Sequence, residues 1–305
     1  MKNAYDVVGI GNAIVDILGR VEDSLLAKND LPKGTMQLVD ETRARVIYDQ
    51  LGQTEECSGG SVANTLAGMA SLGAKTAFIG KVARDQLGAI FTHDLKSVGV
   101  HFDSKPADSG PATASCMVCV TPDAQRTMAT FIGACNRVSE ADVEEALIAS
   151  SQVLYIEGYL WDIDAAKDAI RKAIRLAKKH GKKVALTLSD TFCVHRFRSE
   201  FLELIANDVD ILFANESEIT ALFETQDFEQ AISRLQAAGL VETRHGIGTF
   251  VIRAKGGTGF RIGASDVATV DDVLSVLELR VSLEVEAASL AAQRRTPVQL
   301  AAMRK

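Results

Sequence analysis

The sequence predicts an α/β fold in which helices cover both faces of a parallel sheet. Short apolar runs at 153–158, 183–188 and 210–215 alternate with helical segments over short connections. Strands and helices that alternate in this way form parallel βαβ units. The segment AAKDAIRKAIRLAKKHG has the clearest helical period, because its apolar positions 166, 169, 170, 173, 174, 176 and 177 fall on one face. Ligands of such sheets bind beyond the carboxyl ends of the strands.

The other elements follow from the same patterns in chain order. Apolar runs predict further strands at 5–11, 13–20, 34–39, 75–80, 112–121 and 127–132. Helices are predicted at 59–73 and 85–100, around 198–206, and from Glu216 onward. Beyond about residue 233 the pattern changes to a helix, two short strands around RHGIG, a glycine-rich stretch and a long helix.

The composition excludes several classes of protein. The 305 residues are 47% hydrophobic and 24% charged, which is typical of a globular chain. A net charge of −7 provides no overall attraction to nucleic acid. No apolar run reaches ~18 residues, so no membrane span is expected. The five cysteines lack framework spacing and indicate reduced thiols in the cytoplasm, and Cys116 and Cys119 are expected to be buried thiols rather than metal ligands.

Two polar clusters in the first part of the chain are candidates for substrate binding. Asp16 follows the first strand in GNAIVD, where its carboxylate could accept two hydrogen bonds from vicinal sugar hydroxyls, although it could equally be a turn residue. A dinucleotide site is not expected, because Ile14 stands where the third glycine would be. In SGGSVANT, paired glycines allow a ligand to approach the backbone before Asn64, although serine caps at a helix start explain the same residues.

A third cluster, Asn215 to Glu218, follows the strand at 210–215. Asn215 and Glu218 are three residues apart and therefore share one helical face. An amide oxygen and a carboxylate at the end of a strand suit a hydrated Mg²⁺. The same pair also fits a helix capping box, and taken alone the sequence favours that interpretation.

Taken together, the clusters resemble the ribokinase-like (PfkB) family of sugar and nucleoside kinases. The segments VVGIGNAIVDIL, KGTMQLVD, GGSVANT, GKVARDQLG, GPATA, FIGAC and LFANESE occur in the order of that family's motifs. The resemblance covers about residues 1–230 and is greatest for the adenosine-kinase-like branch. It implies a parallel α/β sandwich with a small β lid at about 14–56 and 110–132, and it allows a homodimer through the lid.

The resemblance also implies roles for single residues. Asp16, Gly60 and Asn64 would bind ribosyl hydroxyls, with Asn12 and Gly59 beside them in the substrate site. Three further residues would lie near ATP: Asn215 and Glu218 would hold Mg²⁺ through water and contact phosphate, and Asp190 is a weaker candidate near the phosphates.

The sequence then departs from the family. Members continue to a Gly-Ala-Gly-Asp segment at a helix start, which supplies an anion hole and the catalytic base. Here the nearest string is GASD at 263–266, whose Asp266 is a weak candidate for a substitute base. Residues 231–305 instead resemble part of a GntR-type regulator of the FadR subfamily, with the wing of a winged helix and the start of a helical effector domain.

The expected function is an ATP-dependent phosphotransferase acting on a nucleoside or sugar, impaired by loss of the Gly-Ala-Gly-Asp segment. Two alternatives remain open from the sequence. One is a GntR-type DNA-binding regulator with a kinase-derived sensor. The negative charge and the incomplete winged helix argue against it and against DNA as a partner. The other is an inactive ligand-binding fusion product.

Overall fold

The computed structural model describes residues 4–237, 241–244 and 248–251, and it confirms the predicted fold class. Within these residues the strands are β1 (Tyr5–Ile10), β2 (Ile14–Arg20), β3 (Met36–Leu38), β4 (Thr54–Gly59), β5 (Thr76–Ile79), β6 (Ala114–Val120), β7 (Arg126–Phe131), β8 (Ser151–Glu157), β9 (Lys183–Thr187), β10 (Ile211–Phe213), β11 (Val241–Arg244) and β12 (Gly248–Val251). The α-helices are α1 (Asp23–Lys28), α2 (Glu41–Tyr48), α3 (Ser61–Ser71), α4 (Gln86–Ser97), α5 (Glu145–Ala149), α6 (Asp164–Lys179), α7 (Thr191–Asn207), α8 (Glu216–Leu222) and α9 (Phe228–Ala237).

The main sheet is fully parallel, with the strand order β10-β9-β8-β1-β5. Successive residues of β1 point to opposite faces. Val8 packs in a core with α6 and α7, and Val7 packs in a second core with α3 and α4. Helices therefore cover both faces of the sheet, as the sequence predicts.

Helix α6 shows why the apolar period is a reliable signal. Six of the seven predicted positions are buried: Ala166, Ala169, Ile170, Ala173, Ile174 and Ala177. The seventh, Leu176, is partly buried against the same core. Small and β-branched side chains along this face allow the helix to lie close to strands β8 and β9.

A second sheet, here called the lid sheet, has the strand order β3-β7-β6-β2-β4. Its strands come from the two chain segments predicted for a lid, although β4 continues to Gly59. Val15 and Ile17 of β2 pack in one core with Ala44 and Ile47 of α2. Because side chains alternate along a strand, Asp16 points to the other face of this sheet.

Helix α7 begins seven residues before the predicted segment. Asp190 is its N-cap, and the carboxylate of Asp190 accepts a hydrogen bond of 2.7 Å from the Cys193 amide. The backbone at Phe197 is not helical (φ −122°, ψ 23°), so the helix is kinked there. The kink interrupts the apolar period, which is the reason why only the second half was predicted.

The C-terminal part is described only in short segments. Strands β11 and β12 form an antiparallel hairpin in which Val241 pairs with Val251, at the place where two short strands are predicted. The long helix and the GASD string, with Asp266, lie outside the described residues. Within the described residues, none of the helices is long and apolar enough to cross a membrane, and all five cysteines are free thiols.

Candidate active site

The end of β1 and the start of α3, two of the predicted site segments, lie against each other. Gly60 is the N-cap of α3 and has a φ of +97°, a conformation that favours glycine. A Cβ at Gly60 would collide with the main-chain carbonyl of Asn12, and a Cβ at Gly59 would collide with the carboxylate of Asp16. The paired glycines therefore allow the two segments to approach each other closely.

Asp16 lies inside β2, between Cys57 of β4 and Cys116 of β6. Its side chain is half-buried, and burial raises the pKa of its carboxyl group. The carboxylate accepts no hydrogen bond from any residue in the described part of the chain. A turn residue would use this carboxylate in a local backbone bond, so the geometry favours a carboxylate that is free to accept hydrogen bonds from a ligand.

Asn64 lies in the first turn of α3, where its main-chain amide donates to the Gly60 carbonyl at 2.9 Å. Its side chain is exposed, and within the described residues its amide has no hydrogen-bond partner. The helix begins at Gly60 without a side-chain cap, so the serine-cap explanation of this segment is not what the structure shows. The amide of Asn64 is free both to donate and to accept.

Glu157 is a residue of this site that sequence reasoning missed. It ends β8 and is completely buried. Its Oε1 accepts hydrogen bonds from the main-chain amide and from Nδ2 of Asn12, both at 2.7 Å. Its Oε2 accepts a hydrogen bond from the Val62 amide at 3.1 Å. One carboxylate therefore joins β8, the end of β1 and the first turn of α3.

Burial raises the pKa of Glu157 to about 7, because desolvation outweighs the three hydrogen bonds that it accepts. A buried carboxyl group with a strongly raised pKa is typical of functional sites. The available sequence signal was a single acidic residue at the end of the apolar run VLYIEG. Its partners lie 95 and 145 residues away in the chain, so no local pattern points to them.

The third predicted cluster forms a complete capping box at the start of α8. The main-chain amide and Nδ2 of Asn215 donate to the two carboxylate oxygens of Glu218 at 3.1 and 2.8 Å, and Asn215 Oδ1 accepts from the Glu218 amide at 2.9 Å. Burial raises the pKa of Glu218, and the nearby charge of Asp190 raises it further. The structure thus brings Asp190 and Glu218 into one electrostatic neighbourhood at the ends of β9 and β10.

Four of these groups lie at one edge of the main sheet. Asn12, Glu157, Asp190 and Asn215 follow or end four parallel strands whose carboxyl ends lie together. This is the edge at which ligands bind in open α/β sheets. Asp266, the weak candidate for a base, lies outside the described residues, and the described residues contain no cluster of three metal-ligating side chains.

A cavity of about 280 Å³ lies on the other face of the lid and belongs to none of these groups. It is bounded by Ile17 of β2, Tyr48 of α2 and Met117 of β6, among others. None of its lining residues is a predicted site residue. The candidate active site is therefore identified by its polar side chains and not by this cavity.

Comparison with known proteins shows that this fold is that of the sugar and nucleoside kinases. The pfkB family carbohydrate kinase model matches residues 35–272, so the chain belongs to that family. The matched segment extends past residue 230, where the sequence resemblance was placed.

Its relatives include adenosine kinases. The crystal structure of adenosine kinase from Sinorhizobium meliloti is 50% identical and superposes with a TM-score of 0.73, over 85% of this chain and 81% of that one. Adenosine kinase 2 of Arabidopsis thaliana is 26% identical over 74% of this chain and 69% of its own length. The guanosine-inosine kinase of Escherichia coli K12 is also 26% identical, over 72% of this chain, and the match spans about half of that relative (53%).

Proposed function

We propose that this protein binds a nucleoside of the adenosine type and transfers to its hydroxymethyl group the γ-phosphate of ATP. The observation that carries the proposal is the carboxylate of Asp16, which lies against Gly59 beside the start of α3 and accepts no hydrogen bond from the residues that the structure describes. Similarity to an adenosine kinase at 50% identity supports a nucleoside substrate.

The proposed roles of the substrate residues follow from their chemistry. The Asp16 carboxylate has two oxygens and can accept one hydrogen bond from each of two vicinal hydroxyls. The Asn64 amide can donate and accept at the same ribosyl group. Gly59 and Gly60 leave room for the sugar to approach the backbone, because neither carries a side chain. Asn12 completes the site through its side-chain oxygen.

The proposed donor is ATP with Mg²⁺, since a kinase family implies ATP. The residues present fit a hydrated ion better than a directly coordinated one. Both oxygens of Glu218 are engaged by Asn215, whereas a second carboxylate, that of Asp190, is near enough to affect the pKa of Glu218. Mg²⁺ usually keeps several waters, through which Asn215 and Glu218 would hold it. The ion would neutralise phosphate charge during transfer.

We further propose that phosphoryl transfer is slow. The 305 residues contain no Gly-Ala-Gly-Asp segment, whose amides would stabilise the migrating phosphoryl group and whose aspartate would accept the hydroxyl proton. Losing an oxyanion donor costs ~10²–10³ in rate, and a general base contributes ~10²–10⁴. If Asp266 serves as the base, Asp266→Asn removes the residual turnover. Fast turnover that persists in this variant would show that the base is elsewhere.

The binding proposal is tested by ligand-induced stabilisation. Adenosine, guanosine, inosine and free ribose are each added to the protein, and the melting temperature is measured. Adenosine is expected to raise it, and Asp16→Asn is expected to abolish the shift, because the variant loses the charged acceptor for the diol. Asp49→Asn is the matched control, since Asp49 is an exposed lid residue at the end of α2. An undiminished shift in Asp16→Asn would contradict the proposed site.

A further inference from the structure

Glu157 is completely buried, so its carboxylate cannot contact a substrate directly. Within the part of the chain that the structure describes, its two oxygens accept hydrogen bonds from three donors, two on Asn12 and one on Val62. Gly11 permits this arrangement, since a Cβ there would lie 2.9 Å from Glu157 Oε2. The packing around Glu157 therefore suits a carboxylate anion.

We propose that Glu157 is a positioning residue that, as the anion, fixes the side-chain amide of Asn12 and the first turn of α3 in the geometry that binds substrate. The proposal rests on the nucleoside-binding function proposed above. Two consequences of the hydrogen bonds support it.

The first consequence concerns the orientation of Asn12. Because Nδ2 of Asn12 donates to Glu157, its Oδ1 must point away from Glu157. Within the described residues Oδ1 has no hydrogen-bond partner, and no side-chain oxygen or nitrogen there is both fully buried and unpaired. Oδ1 therefore keeps contact with the open side of the site, as an acceptor for a substrate hydroxyl.

The second consequence concerns helix α3. Its N-cap, Gly60, has no side chain to cap the helix, and the Val62 amide is bonded instead to Glu157. A negative charge at a helix N-terminus is favourable. This bond sets the position of the first turn of α3, which carries Asn64. A single carboxylate thus orients groups from both substrate-binding segments.

Protonation of Glu157 would disturb this arrangement. A protonated carboxyl group must donate its hydrogen, but the Asn12 and Val62 groups that face it are all donors, so Asn12 has to turn its amide over to offer an oxygen. The titratable groups that face Glu157 are Cys135 from the turn 133–137, Tyr159 from the turn 158–162, and Tyr155 of β8 itself. Burial raises the pKa of each of these groups above its usual value, so none of them titrates between pH 6 and 8.

The test is the pH dependence of adenosine affinity, measured by calorimetry between pH 6 and 8. With a pKa of about 7, the ionised fraction of Glu157 falls from about nine-tenths to about one-tenth over this range. Affinity scales with the competent fraction, so the wild-type Kd is expected to rise about tenfold from pH 8 to pH 6. Glu157→Gln is expected to bind at least about tenfold more weakly at pH 8 and to lose this pH dependence.

Two controls separate positioning from a merely structural role. Glu145→Gln removes an exposed glutamate paired with Lys179, and it should retain both the affinity and its pH dependence. The melting temperature of Glu157→Gln at pH 8 is expected not to fall, whereas a residue needed only for folding would lower stability and affinity together. Wild-type affinity in Glu157→Gln, or a parallel loss of stability and affinity, would overturn the proposal.

Two further measurements decide the remaining cases. If Glu157→Gln does not fold, Asn12→Ala removes the side-chain donor Nδ2, one of the three donors that lower the pKa of Glu157, and leaves the main-chain amide in place. The midpoint of the affinity profile should therefore move to higher pH. A wild-type affinity without pH dependence would refute the positioning role. If the wild type binds no nucleoside or sugar, the proposed function fails. In that case the positioning role is tested by hydrogen exchange of the Asn12 and Val62 main-chain amides, which should be faster in Glu157→Gln than in the wild type. Equal or slower exchange in the variant would refute the role of Glu157.

Discussion

Ionisation of Glu157 is expected to reduce the stability of the fold, and Glu157→Gln should remove this reduction. Burial raises the pKa of this carboxyl group from 4.5 to about 7. At ~1.4 kcal/mol per pH unit, this rise corresponds to about 3 kcal/mol. The native state binds the proton more tightly than the unfolded chain does. The stabilising contribution is therefore complete below about pH 4.5 and is lost as the pH rises through about 7.

In Glu157→Gln the contribution of this side chain to the free energy of unfolding no longer depends on pH, because glutamine does not ionise. Glutamine offers a single acceptor oxygen to the three donors that face it, so at least one hydrogen bond is lost, at a cost of ~1 kcal/mol. The net change at pH 8 is then expected to lie between zero and a gain of about 2 kcal/mol. Urea unfolding at several values between pH 5 and 8, on both proteins, gives the difference directly.

The comparison between the two proteins isolates Glu157, because both proteins share every other ionisable group. The wild-type free energy of unfolding should decline relative to that of the variant as the pH rises from 5 to 8. Parallel pH profiles would refute the raised pKa. A loss of more than ~2 kcal/mol in Glu157→Gln at pH 8 would show that the anion stabilises the fold, contrary to the reasoning from desolvation.

Three other substitutions test the surrounding structure. Gly60→Ala places a Cβ against a carbonyl at positive φ, and it should cost about 2–3 kcal/mol in urea unfolding; Gly52→Ala, where the space is open, should be nearly neutral. Ile170→Ala in the fully buried face of α6 should cost about 2–5 kcal/mol by the same measurement. Asn215→Ala removes the cap of α8, so it should cost ~1 kcal/mol and weaken Mg-ATP binding in calorimetry without changing adenosine affinity.

The sequence predicted most of the fold because the decisive signals were local. The strands of the main sheet are continuous apolar runs, and α6 spans more than four turns with an unbroken apolar face. The lid helices α1 and α2 were not predicted. They have only six and eight residues, too few turns for a period to be recognised. The start of α7 was missed because of the kink at Phe197.

The candidate site was predicted less completely. Asp16, Gly60 and Asn64 carried a recognisable motif, and the structure brings their segments together. Glu157 had no motif, and its hydrogen bonds reach across the parallel sheet to residues far away in the chain. Its role depends on strand order, because β8 lies next to β1 in the sheet. Residue patterns alone do not give the order of strands.

The two halves of the site depend on different parts of the chain. The contacts that place Asp16 and Asn64 involve β1, β2, α3 and β8, all between residues 5 and 157. The acidic pair Asp190 and Glu218 belongs to the ends of β9 and β10, and it is held by caps within its own helices. The residues proposed to contact the nucleoside therefore lie between 12 and 64, whereas the residues proposed to hold Mg-ATP lie between 190 and 218. This division is consistent with the proposal that the protein binds a nucleoside and transfers phosphate slowly, because the catalytic base is not among the residues proposed to position the nucleoside.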